Sequence, residues 1–328
     1  MKHVFIIHGH TLFLTALGVI NQLSLDMEDV IFLYARNYRN SIYNPDCKTI
    51  DISPLYKSLQ TGKKILMNRK YRTNKIREVD ELIETHIGYK YILYVPHFAF
   101  ALFQLFYTNN LCCKACYIQE GGIPFKKAYS TKFPLYKRIG YGLFNHIVLR
   151  DGRLKIPRKW FIKGFLNKQT TLEAFAISDS FFRHLPAEVH HVKWPVFNID
   201  ITIAPQSTVF VFDGFVSNHH IEKDFYERKC RKLVEREARN CNYIKYHPMQ
   251  SNEERKLIMS YFPKNVIVKV LDDSVPFEVV LSSFSHLTIV GFDSSLLYFA
   301  EDLGHNVHAY REWLYESPLF LKFKNNNY

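Results

Sequence analysis

Apolar positions along this chain alternate between two patterns. Short continuous apolar runs occur at Val4–Ile7, Val30–Tyr34 and Tyr91–Val95, and Cys112–Ile118 is a strand-like run broken only by Lys114. Such runs, bounded by polar or proline positions, read as strands buried on both faces. Between them the spacing turns helical. Leu12, Ala16, Val19 and Leu23 recur every three or four residues within Thr11–Leu23, which predicts an amphipathic helix. Residues 53–88 are polar and basic with helical stretches, and an aromatic helix is predicted over His97–Tyr107, after Pro96. The run Cys112–Ile118 ends in Gln119-Glu120-Gly121-Gly122, a turn by composition. Residues 129–170 read as a basic helix and an irregular connection, and Thr171–Ile177 as the last strand of this half. The pattern breaks from Trp194-Pro195 to Pro205-Gln206-Ser207, which places a domain boundary near 200.

The second half repeats the alternation. Thr208–Phe212 reads as a strand closed by the turn Asp213-Gly214, and Ile221–Arg239 as a charged amphipathic helix. Tyr243–Tyr246 is a strand stopped by His247-Pro248. Ser251-Asn252-Glu253-Glu254 has the capping-box pattern of a helix start. Val266–Val270 and Leu287–Val290 read as strands, Pro276–Ser282 as a short helix, and Ser294–Leu303 as a helix stopped by Gly304. Val307–Ala309 is a final strand, and residues 325–328 are expected to fray. Alternating strands and helices in both halves predict an α/β protein of two Rossmann-type parallel-sheet domains, 1–200 and 201–328, facing a cleft.

The chain has 328 residues, enough for two ordinary domains. No apolar run approaches the roughly 20 residues of a membrane-spanning helix. The start, Met1 to Ile7, is interrupted by His8-Gly9-His10 and reads as a buried strand rather than a secretion signal, which predicts a cytoplasmic protein. The net charge of +12 is unevenly spread. Residues 1–170 carry 26 Lys and Arg against 11 Asp and Glu; the remainder carries 17 against 20. The basic density peaks over residues 114–168, a face suited to an anionic membrane surface or a charged glycan. Lys132-Phe133-Pro134-Leu135-Tyr136-Lys137-Arg138 interleaves bases and aromatics, but no nucleic-acid-binding module accompanies it, and no nucleic acid partner is expected.

Six cysteines are present, three of them at Cys112, Cys113 and Cys116. A structural zinc wants four ligands, usually as two spaced pairs. No second pair exists, although His97 or His191 could be imagined, so reduced, buried cysteines are expected. His8-Gly9-His10, His190-His191, Asn218-His219-His220 and the pair Asp272-Asp273 also invite a metal reading, but none has convincing ligand spacing.

The groups that could carry chemistry lie at predicted strand ends, where open α/β sheets bind ligands. His247, held extended by the following Pro248, can donate to a phosphate and protonate a leaving group. Ser294 and Ser295 open a helix, where hydroxyls and free N–H groups suit an anion. Glu278, in a first helical turn, can accept the two hydroxyls of a ribose. Glu120 suits a general base acting on a substrate hydroxyl, and Asp213 is its rival.

In order and spacing, Gln119-Glu120-Gly121, His247-Pro248 and Ser294-Ser295 resemble the three short motifs of bacterial sialyltransferases of the two-domain glycosyltransferase-B type. That group includes the lipooligosaccharide sialyltransferases and the bacterial polysialyltransferases. Ile6 to Leu12 is similar to the family's first strand and loop. The resemblance implies inverting transfer of sialic acid from CMP-sialic acid to a hydroxyl of an oligosaccharide or lipid-linked surface glycan, without metal or other cofactor. It implies that a carboxylate of the first motif is the base and that His247 assists departure of the CMP phosphate. Ser294 and Ser295 would hold that phosphate, with Pro248 beside it; Glu278 would bind the nucleoside, and Lys245 would add positive charge. The motif's first acid is Gln119 here, which leaves Glu120 as the expected base and Asp213 as the alternative. A transferase for another CMP-activated acid sugar, of Kdo or pseudaminic type, and a non-catalytic basic binding protein are the competing readings.

Overall fold

The computed structural model describes residues 1–40, 43–60, 62–121, 135–150, 152–155, 171–178, 181–185, 187–205 and 207–327. These form two compact units, Met1–Trp194 and Pro195–Tyr328, dividing at the Trp194-Pro195 dipeptide rather than at 200.

The first unit is built on seven parallel strands: β1 (Lys2–Ile7), β2 (Val30–Tyr34), β3 (Lys48–Asp51), β4 (Tyr91–Val95), β5 (Cys112–Ile118), β6 (Glu173–Ala176) and β7 (Glu188–His191). Their order is β3-β2-β1-β4-β5-β6-β7. Helices α1 (His10–Gln22), α2 (Ser53–Gln60), α3 (Gly62–Met67), α4 (Arg69–His86), α5 (Ala101–Thr108) and α6 (Leu135–Ile147) accompany the sheet. Val4, Phe5, Ile6 and Ile7 are all buried, because a central parallel strand is covered on both faces. That is why the run is apolar without alternation.

The edges look different. β3 (Lys-Thr-Ile-Asp) and β7 (Glu-Val-His-His) are polar, β3 mostly exposed and β7 partly so, and hydrophobic pattern reveals neither. Polar edges discourage further strand pairing. The predicted stripe on α1 is corrected too. Every residue from Thr11 to Ile20 is buried, while Leu23 caps the helix and is 43% exposed. Gly18 permits the close packing, since a Cβ there would sit 2.7 Å from the Lys193 carbonyl oxygen. The aromatic helix begins at Ala101, not His97, which leaves His97 in the loop after β4.

The second unit has five parallel strands: β8 (Thr208–Val211), β9 (Cys241–Lys245), β10 (Ile267–Val270), β11 (Thr288–Gly291) and β12 (Asn306–Ala309), in the order β10-β9-β8-β11-β12. Helices α7 (Lys223–Glu237), α8 (Asn252–Met259), α9 (Phe277–Ser283), α10 (Ser295–Asp302) and α11 (Pro318–Asn327) complete it. The Ser251–Glu254 capping box is formed in both directions. Helix α11 replaces the frayed end expected at 325–327, and its buried Phe320 joins the core of Phe210, Phe212, Tyr226 and Phe292.

Both sheets follow one rule. The unit's first strand lies in the sheet interior, and the order reverses beside it, between β1 and β4 and between β8 and β11. Such a reversal opens a crevice at the carboxyl ends of the strands, where ligands bind in doubly wound folds. The chain therefore has a two-domain, Rossmann-like α/β architecture.

All six cysteines are free thiols, and burial pushes Cys116 up to about 12. The basic segment 114–168 is described only in part; residues 122–134, 151 and 156–168 lie outside the described residues.

Candidate active site

In the first unit the reversal gathers three groups from the ends of neighbouring strands. His8 follows β1, His97 follows β4, and Glu120 follows β5. His8 Nε2 lies 3.3 Å from Glu120 Oε1, and His97 Nε2 lies 3.6 Å from Oε2. Both imidazoles are nearly buried, whereas the Glu120 side chain keeps 22% of its surface. His97 Nδ1 accepts the Ala99 N–H at 3.2 Å, so its ring proton is on Nε2 and faces the carboxyl. Burial drives His8 down to about 3 and His97 well below its ordinary range, so both rings are neutral. Burial also raises the Glu120 carboxyl to about 7, with the Arg36 charge opposing it. A carboxyl poised there, with residual access, can take a proton from a substrate hydroxyl near neutral pH.

Gln119 explains its own departure from an acidic motif. It is fully buried. Its Oε1 accepts the Ile177 N–H at 2.9 Å, and its Nε2 donates to the Gly121 carbonyl at 3.0 Å. It thus clamps the end of β5 to the end of β6 and shapes the turn that presents Glu120. A carboxylate could accept the first bond but could not donate the second.

In the second unit, strand order arrays the candidates along one sheet end: Glu278 after β10, His247 after β9, Asp213 after β8, and Ser294 and Ser295 after β11. The His247 ring lies against Gly214, where a Cβ would come within 2.5 Å of Nδ1. That Nδ1 accepts the Met249 N–H at 3.1 Å. Burial lowers the His247 pKa. The neutral ring therefore carries its proton on Nε2, as a donor for a ligand oxygen. Gln250, which pattern reading missed, grips the turn: its Oε1 accepts the His247 N–H at 2.9 Å. Pro248 is exposed beside it. Ser294 caps α10 by accepting the Leu296 N–H at 3.3 Å; Ser295 and Glu278 are half-buried in the first turns of α10 and α9.

Lys245 serves the structure. Its Nζ donates to the Asp272 and Val275 carbonyls at 3.2 and 3.4 Å and meets Asp273 Oδ1 at 3.4 Å. Arg255 holds the other Asp273 oxygen at 2.8 Å. The lysine secures the loop leading to Glu278, and two cations occupy Asp273. Asp213 is nearly sealed: burial and the neighbouring Asp293 raise it to about 8. It accepts the Asp293 N–H at 3.5 Å, and Lys324 of α11 pairs with Asp293. A carboxyl that keeps its proton at neutral pH is a poor proton acceptor there.

Histidines outside these sites have packing roles. His10 meets Tyr38, His190 stacks on Phe175 at 4.9 Å, and His220 on Phe323 at 4.0 Å.

No family model matches the chain, and no curated protein matches it. By fold it is similar to the Vibrionaceae Photobacterium sp. JT-ISH-224 2,6-sialyltransferase in a ternary complex with CMP and lactose. The TM-score is 0.53 at 10% identity, over 98% of this chain and 76% of that one. It is also similar to the spinosyn rhamnosyltransferase SpnG complexed with thymidine diphosphate, with a TM-score of 0.52 at 12% identity, over 94% and 80%. At these identities the likeness is one of fold, and it agrees with two Rossmann-like domains.

Proposed function

We propose that the chain is a glycosyltransferase that moves sialic acid from CMP-sialic acid to a glycan hydroxyl, with inversion and without a metal. The observation that carries the reading is the row of groups at the carboxyl end of the second sheet. His247 offers an Nε2–H, Ser294 and Ser295 offer hydroxyls at a helix start, and Glu278 offers a carboxylate for a ribose. Together they suit a nucleoside monophosphate that gathers negative charge as it departs. The first unit supplies the opposite need, a proton acceptor at Glu120 held near neutrality. Glu120 takes the acceptor proton, the hydroxyl oxygen attacks the anomeric carbon, and CMP leaves with its charge met by His247 and the serines. The shared fold with a sialyltransferase that holds CMP and lactose supports this choice of donor.

The test is release of CMP from CMP-sialic acid in the presence of a galactoside, run beside CMP-Kdo and, because SpnG binds thymidine diphosphate, a dTDP-sugar. Selective turnover of CMP-sialic acid is expected; selective turnover of either other donor overturns the assignment.

Peripheral attachment at the cytoplasmic face of a membrane belongs to the same reading. Among the described residues no helix is long and apolar enough to cross a membrane. Helix α6 instead exposes Leu135, Ile139, Leu143 and Ile147 along one face, each more than half exposed. Apolar residues on one helical face within a strongly basic segment suit an anionic lipid surface. Sedimentation with vesicles containing phosphatidylglycerol should fall in Ile139→Ser/Leu143→Ser, and binding equal to that of the parent chain would refute the role of α6.

A further inference from the structure

Arg36 lies in the turn after β2 and takes no part in the scheme above. Arg36 and Asn37 both sit in the left-handed region, at φ 57° and 56°, which side chains with a Cβ rarely adopt. The turn is tied down by the Asn37 N–H, which donates to Ser53 Oγ at 2.7 Å. The guanidinium carbon is held 5.5 Å from the ring centres of both Tyr56 and Phe100. Its Nε donates to Tyr56 Oη at 2.8 Å. Among the described residues nothing accepts from Nη1 or Nη2, and the residue is exposed. The rings that hold it also reach the carboxyl site. Phe100 lies 4.8 Å from the His97 ring, and Tyr56 lies 6.5 Å from His8. His8 and His97 in turn flank Glu120, and His8 Nε2 is buried without a hydrogen bond.

An arginine stacked on aromatic faces, with its two-nitrogen edge open, is preorganised for a planar anion. The geometry points to Arg36 as the binding group for a sugar carboxylate beside Glu120. The inference rests on the transfer reading, in which sialic acid bears a carboxylate on the carbon under attack. The same chemistry would serve an acceptor that ends in an acidic sugar. In either case the stacked guanidinium meets the carboxylate through two parallel N–H bonds and sets the distance from the reacting centre to Glu120. The cation also opposes, without cancelling, the burial that raises Glu120.

The test uses the full chain and Arg36→Met, with circular dichroism to confirm folding and Arg36→Lys to retain charge without the planar edge. Binding of methyl sialoside and of uncharged methyl galactoside is measured by calorimetry without donor. KM for CMP-sialic acid is measured by CMP release into water without acceptor. Arg36→Met should weaken sialoside binding or raise the donor KM by roughly ten- to a hundredfold, leaving the galactoside unaffected. Arg36→Lys should fall between. A change confined to sialoside binding assigns the carboxylate to the acceptor, and one confined to KM assigns it to the donor. Unchanged values in both arms overturn the subsite while leaving the transfer reading intact. Sialoside binding that depends on Arg36, in a chain that releases no CMP, would sink the transfer reading and keep the subsite.

Discussion

Glu120 in the first unit and Asp213 in the second hold comparable positions. Each follows a strand near the point where its sheet reverses order, and burial raises each carboxyl, to about 7 and about 8. Their surroundings part them. Glu120 keeps a fifth of its surface and faces two neutral imidazoles. Asp213 is nearly sealed, accepts a backbone N–H, and sits beside the Asp293–Lys324 ion pair. Topology brings a carboxyl to the crevice; access and partners decide whether it does chemistry or holds a turn together.

The sharpest way to break this comparison is to neutralise each acid. Glu120→Gln should lower acceptor-dependent CMP release by about 10²–10⁴-fold. Asp213→Asn should change it by only a few-fold. The reverse ranking would exchange the two roles. Next in size, His247→Ala should reduce release by about 10²–10³-fold, the usual loss when a donor to developing charge is removed, with the fold kept and stability lowered by about 1 kcal/mol through loss of the bond to the Met249 N–H. Full turnover in a folded variant would remove His247 from the mechanism.

pH offers a finer cut. Release should rise with pH and level off above about 7, as Glu120 ionises. The stability sign is opposite. The fold raises this carboxyl from 4.5, so between 4.5 and about 7 the native state holds a proton that the unfolded chain has lost. Stability from this group falls as pH rises through that window. Glu120→Gln should flatten that part of the stability curve, and an unaltered slope would show that Glu120 is not perturbed. The smallest effect on activity is expected at Gln119. Gln119→Glu loses the donor to the Gly121 carbonyl and buries an acid, at a cost of about 3 kcal/mol in chemical denaturation. A gain in turnover would mean that Gln119 can serve as the base position after all.

Much of this architecture was legible in the chain, for a physical reason. Central parallel strands carry apolar runs with few interruptions, so β1, β2, β4, β5, β8 and β11 announce themselves. The edges β3 and β7 are polar, and α11 carries little apolar periodicity, so pattern missed them. Individual strand-end residues could be picked out, since turns and prolines mark strand ends. Their partners could not. His8, His97 and Glu120 are far apart in sequence and meet only through the strand order. Sequence alone offers His8 as a metal reading and as part of the stretch resembling the family's first strand and loop, and His97 as a metal reading and a helix start; neither places them beside Glu120. The resemblance implies that Lys245 adds charge near the leaving group; its Nζ is engaged by the Asp272–Val275 loop, a contact that strand order creates and sequence does not show.

The most direct test follows the histidine ring signals by NMR while CMP is added to the full chain. Shifts at His247 with none at His8 or His97 are the predicted result, because the departing nucleotide is assigned to the second unit's strand ends. Shifts at His8 or His97 with His247 unmoved, or no shift at saturating CMP, would contradict that assignment.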